Sequence, residues 1–121
     1  MDEIRRVLLR TTEGERVVVD PLEVFLLEAE GDETRVRQGS RHEVVDVREL
    51  GEVAAVFEPY GFVRVHREFV VNPRRVLLIR PRDGGRDWEL KLEPPVNRVV
   101  PIARDRLAAV WAVFGEGRQG S

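Results

Sequence analysis

The residues best suited to chemistry lie between positions 61 and 76, in the stretch GFVRVHREFVVNPRRV. This stretch contains one of the chain's two histidines together with four arginines. An imidazole can serve as a catalytic base, a metal ligand, a nucleic-acid contact or a structural hydrogen-bonding group. Guanidinium groups bind phosphates, carboxylates and base edges. The charged tripeptide His66-Arg67-Glu68, at the centre of the stretch, is therefore the first candidate site.

Catalysis at His66 would require a nucleophile or an orienting acid nearby, and Glu68 is the only local candidate. The chain contains no G-x-S-x-G, no H-E-x-x-H and no glycine-rich phosphate loop. With no cysteine and two histidines, it also offers few ligands for a soft metal. We therefore expect no enzymatic activity, no catalytic residue, no metal site and no cofactor.

Apolar residues flank the tripeptide on both sides, and most of them are β-branched: Val63, Val65, Phe69, Val70 and Val71. Such residues favour a pleated, half-buried strand. Gly61 before them and Asn72-Pro73 after them are turn residues. The sequence therefore predicts two short strands that meet at the tripeptide, where charged side chains can reach a partner.

Hydrophobic patterns elsewhere predict further strands at residues 4–10, 16–19, 23–29, 34–37, 43–47, 76–79, 88–92 and 98–101. Two patterns of helical period predict a helix at residues 47–57, begun by a capping box of Asp46 and Glu49, and a final helix that ends at Gly115. We expect residues 76–79 to form a buried strand, and Trp88, Trp111 and Phe114 to belong to the core. The fold class is mainly antiparallel β with two short helices.

The length and composition fit a single domain. A chain of 121 residues suffices for one modest core, and we assign residues 1–116 to the domain and residues 117–121 to a frayed tail. With 42% hydrophobic and 35% charged residues, it resembles neither a disordered nor a membrane-spanning protein. It has no signal-peptide pattern and no cysteine, so we expect a cytoplasmic protein without membrane contact.

The net charge of −2 disfavours binding to nucleic acid, which usually meets a basic face. The charges are unevenly distributed, however. Residues 1–61 have 8 arginines against 15 acidic residues, a net of −7, whereas residues 62–106 have 10 arginines and one lysine against 6 acidic residues, a net of +5. The basic part includes the candidate site, although genomic base composition explains an arginine bias equally well.

A family resemblance is carried by residues 62–72, Phe-Val-Arg-Val-His-Arg-Glu-Phe-Val-Val-Asn. This segment resembles the F-x-R-x-H-x-S-[YF]-[LV]-V-N core of the LytTR family, DNA-binding domains of bacterial transcription regulators. Residues 22–36 resemble the family's early strand pair, and residues 99–114 resemble its closing strand and helix. The resemblance implies an elongated stack of small antiparallel β-sheets that binds double-stranded DNA sequence-specifically, with loops between strands entering the major groove.

The resemblance also implies roles for individual residues. Arg67 matches the variable position from which a side chain reaches the major groove, and Arg104 matches a second contact arginine before the final helix. Arg35 corresponds to a third contact, and His66 takes a structural or phosphate-facing role. The implied partner is DNA with repeated half-sites, joined by a second copy of the chain or by a separate signalling protein.

Two residues depart from the family pattern. Glu68 replaces a serine, which introduces an anion, and Ala103 replaces a serine before Arg104, which removes a helix cap and a phosphate donor. We expect Glu68 to pair with Arg64 or Arg67, and Asp105 to cap the final helix instead. Together with the acidic first half, these departures support an alternative function: a LytTR-fold protein-interaction module that has lost or weakened its affinity for DNA.

Overall fold

The computed structural model of the chain describes residues 5–39 and 42–115, so the predicted tail at residues 117–121 lies outside the described part. The strands are β1 (Val7–Arg10), β2 (Arg16–Val19), β3 (Val24–Glu30), β4 (Glu33–Gln38), β5 (Glu43–Asp46), β6 (Val63–His66), β7 (Phe69–Val71), β8 (Val76–Arg82), β9 (Asp87–Leu92) and β10 (Val99–Ile102). The helices are α1 (Leu50–Phe57) and α2 (Leu107–Phe114). The predicted fold class is confirmed. None of the helices in the two described ranges has the length and apolar character needed to span a bilayer.

The strands form three antiparallel sheets, with strand orders β1-β2, β5-β4-β3-β7-β6 and β10-β9-β8. Within the five-stranded sheet, residues 24–27 of β3 and all of β7 are buried. An antiparallel strand that is buried on both faces must be covered by a layer on each side. The five-stranded sheet is therefore the middle layer of a stack.

The two covering layers make separate hydrophobic cores. The β1–β2 hairpin and α1 pack against Leu27, Val36 and Val70 on one face of the middle sheet. The three-stranded sheet and α2 pack against Leu26 and Phe69, among others, on the opposite face. The expectation of one modest core is thus wrong, because a shared middle sheet supplies apolar residues to both sides.

The carboxylate of Asp46 links β1 to the end of β5. Asp46 is fully buried, and its oxygens accept hydrogen bonds from the backbone N–H groups of Arg10 at 2.8 Å and Arg48 at 2.9 Å. They also accept two bonds from the Arg48 guanidinium, at 2.9 and 2.7 Å. Burial alone raises the pKa of Asp46, but the Arg48 side chain and the two backbone donors hold the pKa below its ordinary value of 3.8.

These bonds explain why the predicted capping box is wrong. The Asp46 carboxylate is bonded to Arg10 of β1 and to Arg48 after β5, so it does not cap α1. Glu49 is the N-cap instead, and it makes no side-chain hydrogen bond. The helix consequently begins at Leu50, three positions later than predicted.

The strand predicted to be buried at residues 76–79 is an edge strand. β8 lies at the outside of its sheet, and Leu77 and Leu78 are 54% and 37% exposed. Pro81 is tolerated there because an edge strand does not need every backbone donor. In α2, Val110 is buried but Phe114 is 38% exposed, so Phe114 does not belong to the core. Trp88 and Trp111 are half-buried and make an edge-to-face contact.

We expect Asp46→Asn to lower the free energy of unfolding by about 1.5–3 kcal/mol at neutral pH, because the variant loses hydrogen bonds to a charged group. The folded-state pKa lies below the unfolded value, so this stabilisation is complete above the unfolded pKa and disappears as the pH falls through the folded pKa. In urea unfolding, the difference in free energy of unfolding between the wild-type protein and Asp46→Asn should therefore narrow as the pH drops below 3.8. An equal gap at every pH would contradict the role of the charge.

Candidate nucleic-acid interface

The hairpin of β6 and β7 presents the tripeptide His66-Arg67-Glu68, and the predicted junction of two strands is confirmed. The pairing register shifts between Arg64 and His66, and such a bulge redirects the side chains that follow it. Neighbouring elements hold the turn on both sides. The Ala29 N–H donates to the Glu68 carbonyl at 2.9 Å, and the Ala103 N–H donates to the Val65 carbonyl at 2.8 Å.

Two side chains of β6 bond the remaining backbone groups of the turn. The Arg64 guanidinium donates to the carbonyl of His66 at 3.3 Å and to the carbonyl of Arg67. His66 Nδ1 accepts the Glu68 N–H at 3.1 Å, so the proton of the neutral ring lies on Nε2, which can donate to a further group. Arg64 is thus a positioning residue that the sequence analysis missed. Its signal was its place in the F-x-R-x-H pattern.

Arg67 and Glu68 carry exposed side chains at the tip of this hairpin. Neither side chain has an ion pair or hydrogen bond with another residue of the described part of the chain. The expected pairing of Glu68 with Arg64 or Arg67 is therefore wrong, because Arg64 is engaged with backbone carbonyls instead. An exposed guanidinium without a competing carboxylate is available to an external anion or base edge.

Arg104 lies beside this turn. It begins the short 3-10 segment Arg104–Arg106 that leads into α2, and the residue before it is hydrogen-bonded to β6. Its side chain is 71% exposed, and its Nε donates to Asp87 Oδ1 at 3.0 Å. An ion pair this exposed is worth only about 0–1 kcal/mol, so another anion can replace Asp87 at small cost.

The cap expected from Asp105 is absent. The N-cap positions are Ala103 for the 3-10 segment and Arg106 for α2, and neither makes a side-chain capping bond. The replacement of the family's serine by Ala103 is thus uncompensated.

Arg35 lies on the same face of the middle sheet as His66, but at a distance. The strand register aligns Arg35 with Glu28, Glu28 with Phe69, and Phe69 with His66. Three strand spacings separate β4 from β6, which amounts to about 14 Å. We call these four aligned residues the sheet row.

Carboxylates pair with the arginines in and beside the sheet row. The Arg35 guanidinium bonds Glu30 and Glu43, and these two bonds raise the pKa of Arg35 above its ordinary value. Arg98 donates to both oxygens of Glu28, at 3.1 and 3.0 Å, and lies 5.6 Å from the centre of the Phe69 ring. Sequence reasoning missed Arg98 because its partners are far away in the chain. The structure thus brings His66, Arg67 and Arg104 together and places Arg35 at the opposite end of the row, where it is least available.

The surface formed by these residues suits the recognition of phosphates and base edges. Its cations are mainly arginines, whose planar fork can pair with a phosphate or with guanine O6 and N7. Among the described residues, no three His, Asp or Glu side chains converge on a common point as metal ligands would.

A family model, a known transcriptional regulator and a solved structure match this chain. The family model described as "LytTr DNA-binding domain" matches residues 14–115. The CO-responsive transcriptional regulator RcoM of Rhodospirillum rubrum is 33% identical over 86 residues, which make up 71% of this chain and 35% of that regulator. A solved LytTr DNA-binding domain from Bacillus cereus superposes with a TM-score of 0.74 at 24% identity, covering 93% of this chain and 99% of that one. The last match establishes the fold.

We expect Arg64→Met to loosen the turn without unfolding the protein. The freed carbonyls lie near the surface and can accept from water, so the free energy of unfolding should change by less than about 1 kcal/mol. The backbone order parameters of residues 67 and 68, measured by ¹⁵N relaxation, should fall from about 0.85 towards 0.6. Arg74→Met, which makes the same change at an exposed arginine outside the hairpin, serves as the control. Unchanged order parameters in Arg64→Met would show that the turn is rigid without this side chain.

Proposed function

We propose that this chain, which belongs to the LytTr DNA-binding domain family, binds DNA in transcription regulation by placing the Arg67 turn in the major groove. The observation that carries the proposal is the state of Arg67. Its side chain is exposed and has no partner within the described residues, and the turn that presents it is held by backbone hydrogen bonds from two neighbouring elements. The family is one of non-enzymatic regulator domains.

We assign base reading to Arg67 and Arg104. An arginine that pairs with guanine O6 and N7 must approach the base edge along a fixed direction. The bonds from Arg64 fix that direction for the Arg67 turn, and the bond from Ala103 to Val65 fixes Arg104 beside it. Arg104 must first exchange Asp87 for DNA, so its net contribution should be the smaller of the two.

We assign phosphate contacts to His66 and Arg35. The Nε2 group of His66 can donate to a phosphate next to the groove that Arg67 enters. Arg35 lies about 14 Å from His66, whereas the major groove is about 12 Å wide, so Arg35 would face the backbone at the far side of the groove. Its two carboxylate partners make this the weakest of the four contacts.

The carboxylates near these arginines lower the general attraction to DNA. Glu28, Glu30, Glu43 and Asp87 each neutralise an arginine of the interface. The affinity that is independent of sequence grows with the number of phosphates that a protein neutralises. We therefore infer that this domain binds non-specific DNA weakly and depends on base contacts for its affinity. The alternative of an interaction module without DNA affinity finds no support in the matches.

The proposed setting is the cytoplasm of a bacterium, with two copies of the domain on repeated half-sites. A single Arg67 turn covers one stretch of major groove, which is short for a specific site. Two domains that bind the same face of the duplex must lie about one helical turn apart. A second copy of the chain, or a separate signalling protein, would bring the two domains together.

We expect Arg67→Ala to cost about 1–3 kcal/mol of binding free energy on the cognate site and to relax the preference at one base pair. Arg104→Ala should cost less, and Arg35→Ala least, because carboxylates already occupy these arginines. Fluorescence anisotropy with cognate and random duplexes at two salt concentrations measures these effects. Arg16→Ala makes the same charge change on the β1–β2 hairpin, on the other side of the middle sheet. This matched control should keep the preference for the cognate duplex over random duplexes.

A different result would assign these arginines to phosphates alone. In that case every duplex would lose affinity equally, and the salt slope would fall by about one unit for each arginine removed. That outcome for Arg67→Ala would contradict base reading by the turn.

We expect Glu68→Ser to tighten binding to all duplexes, by about two- to tenfold at low ionic strength, because it removes an anion from a turn that lies close to phosphates. The gain should shrink as salt is added. Glu58→Ser removes an exposed charge of the same sign outside the interface and is the control. If the two variants behave alike, Glu68 does not lie near the DNA backbone.

We expect selection from random duplexes to recover pairs of short half-sites with centres about one helical turn, or 10–10.5 base pairs, apart. Inserting half a turn between the half-sites should abolish the advantage of the pair, whereas inserting a full turn should retain part of it. Recovery of single sites, or of no enriched sequence, would contradict the proposed arrangement of two copies.

A further inference from the structure

The outer face of the β1–β2 hairpin is a second basic surface, away from the sheet row. The inner residues of this hairpin pack against Leu27, Val36 and Val70, on the face of the middle sheet opposite to Arg35 and His66. β1 also precedes the part of the chain that the family model matches, which begins at residue 14. The surface therefore lies away from the proposed DNA face, and its β1 side precedes the part that the family model matches.

Like charges oppose each other on this hairpin. Arg10 and Arg16 are cross-strand partners on its outer face, an arrangement that destabilises a sheet unless an anion lies between the charges. In the described part of the chain, neither side chain has an ion pair, and Arg6 has only a long one, 3.9 Å from Asp20. Within the described residues, this cationic cluster therefore has no close carboxylate partner, although this half of the sequence is acidic overall.

Apolar groups lie at the centre of the cluster. Leu8 and Val18 are also cross-strand partners, and they are 55% and 54% exposed. Leu8, Tyr60 and the arginines border a concavity of about 410 Å³. An apolar centre with a tyrosine, surrounded by arginines, is the composition of a protein-binding surface.

We propose that this face, defined by Arg6, Leu8, Arg10, Arg16, Val18 and Tyr60, is the docking site for an acidic protein segment that carries apolar residues. Charge complementarity identifies the acidic character, because Arg10 and Arg16 have no ion pair within the described residues and that of Arg6 is long. The exposed Leu8 and Val18 identify the apolar component, which a small anion or a phosphate would leave uncovered. Binding places a carboxylate between Arg10 and Arg16 and offsets their repulsion.

The test uses the whole chain and a fluorescein-labelled peptide in which glutamate and aspartate alternate with leucine and serine. We expect Arg10→Glu and Arg16→Glu each to raise the Kd for this peptide about tenfold or more. Leu8→Ser should raise it without changing the charge. Arg86→Glu, which changes the charge equally at an exposed arginine in the β8–β9 turn, should have a small effect. Thermal unfolding verifies that each variant folds, and Arg16→Glu should raise the Tm because it replaces a repulsive pair by an attractive one.

Three outcomes would overturn the proposal. Equal losses in Arg16→Glu and Arg86→Glu would show general charge attraction only. A simple anion site would be shown if the peptide kept its affinity after serine replaced every leucine and if inorganic phosphate displaced it. A loss of affinity for DNA in Arg10→Glu and Arg16→Glu, with peptide binding unchanged, would show a second DNA contact in place of a protein-docking site.

Discussion

The hydrogen bonds around the β6–β7 turn are the constraint on which the proposed interface depends. One bond comes from Ala29 in the middle sheet, and another comes from Ala103 in the layer that packs on that sheet. Arg64 and His66 bond the turn from within the hairpin. The position of Arg67 is therefore fixed by the stacking of two layers, each of which has to bury its own apolar face. A loop without these bonds would have to be ordered on binding, at a cost in conformational entropy.

Carboxylates decide which arginines of this protein are available. Arg35 is held by two glutamates, Arg104 by one half-buried aspartate, and Arg67 by no carboxylate within the described residues. The net charge of −2 is therefore compatible with DNA binding, because the arginines available at the interface matter more than the net charge of the whole chain. The same principle distinguishes the outer face of the β1–β2 hairpin, where no described carboxylate lies close to Arg10 or Arg16 although this half of the chain is acidic.

The sequence predicted those features that depend on residues close together in the chain. The β-branched and aromatic residues on either side of His66-Arg67-Glu68 were enough to place two strands and the junction between them. Features that depend on distant residues could not be found in this way. Arg98 meets Glu28 across 70 positions, and Arg104 meets Asp87 across 17. Asp46 appeared to be a helix cap because its bond to Arg10, 36 positions earlier, leaves no local pattern. The apolar run at residues 76–79 did not reveal that its strand lies at an edge, since periodicity alone does not identify neighbouring strands.

The central claim is that the fixed Arg67 turn, with Arg104 beside it, meets the bases of double-stranded DNA. NMR spectra of the arginine Nε–Hε groups, recorded while the cognate duplex is added, test it most directly. The Arg67 and Arg104 signals should shift and become protected from solvent exchange, while the Arg10 and Arg16 signals on the opposite layer should not change. Protection of Arg10 and Arg16, with the Arg67 signal unchanged, would place the DNA on the other side of the molecule and contradict the account.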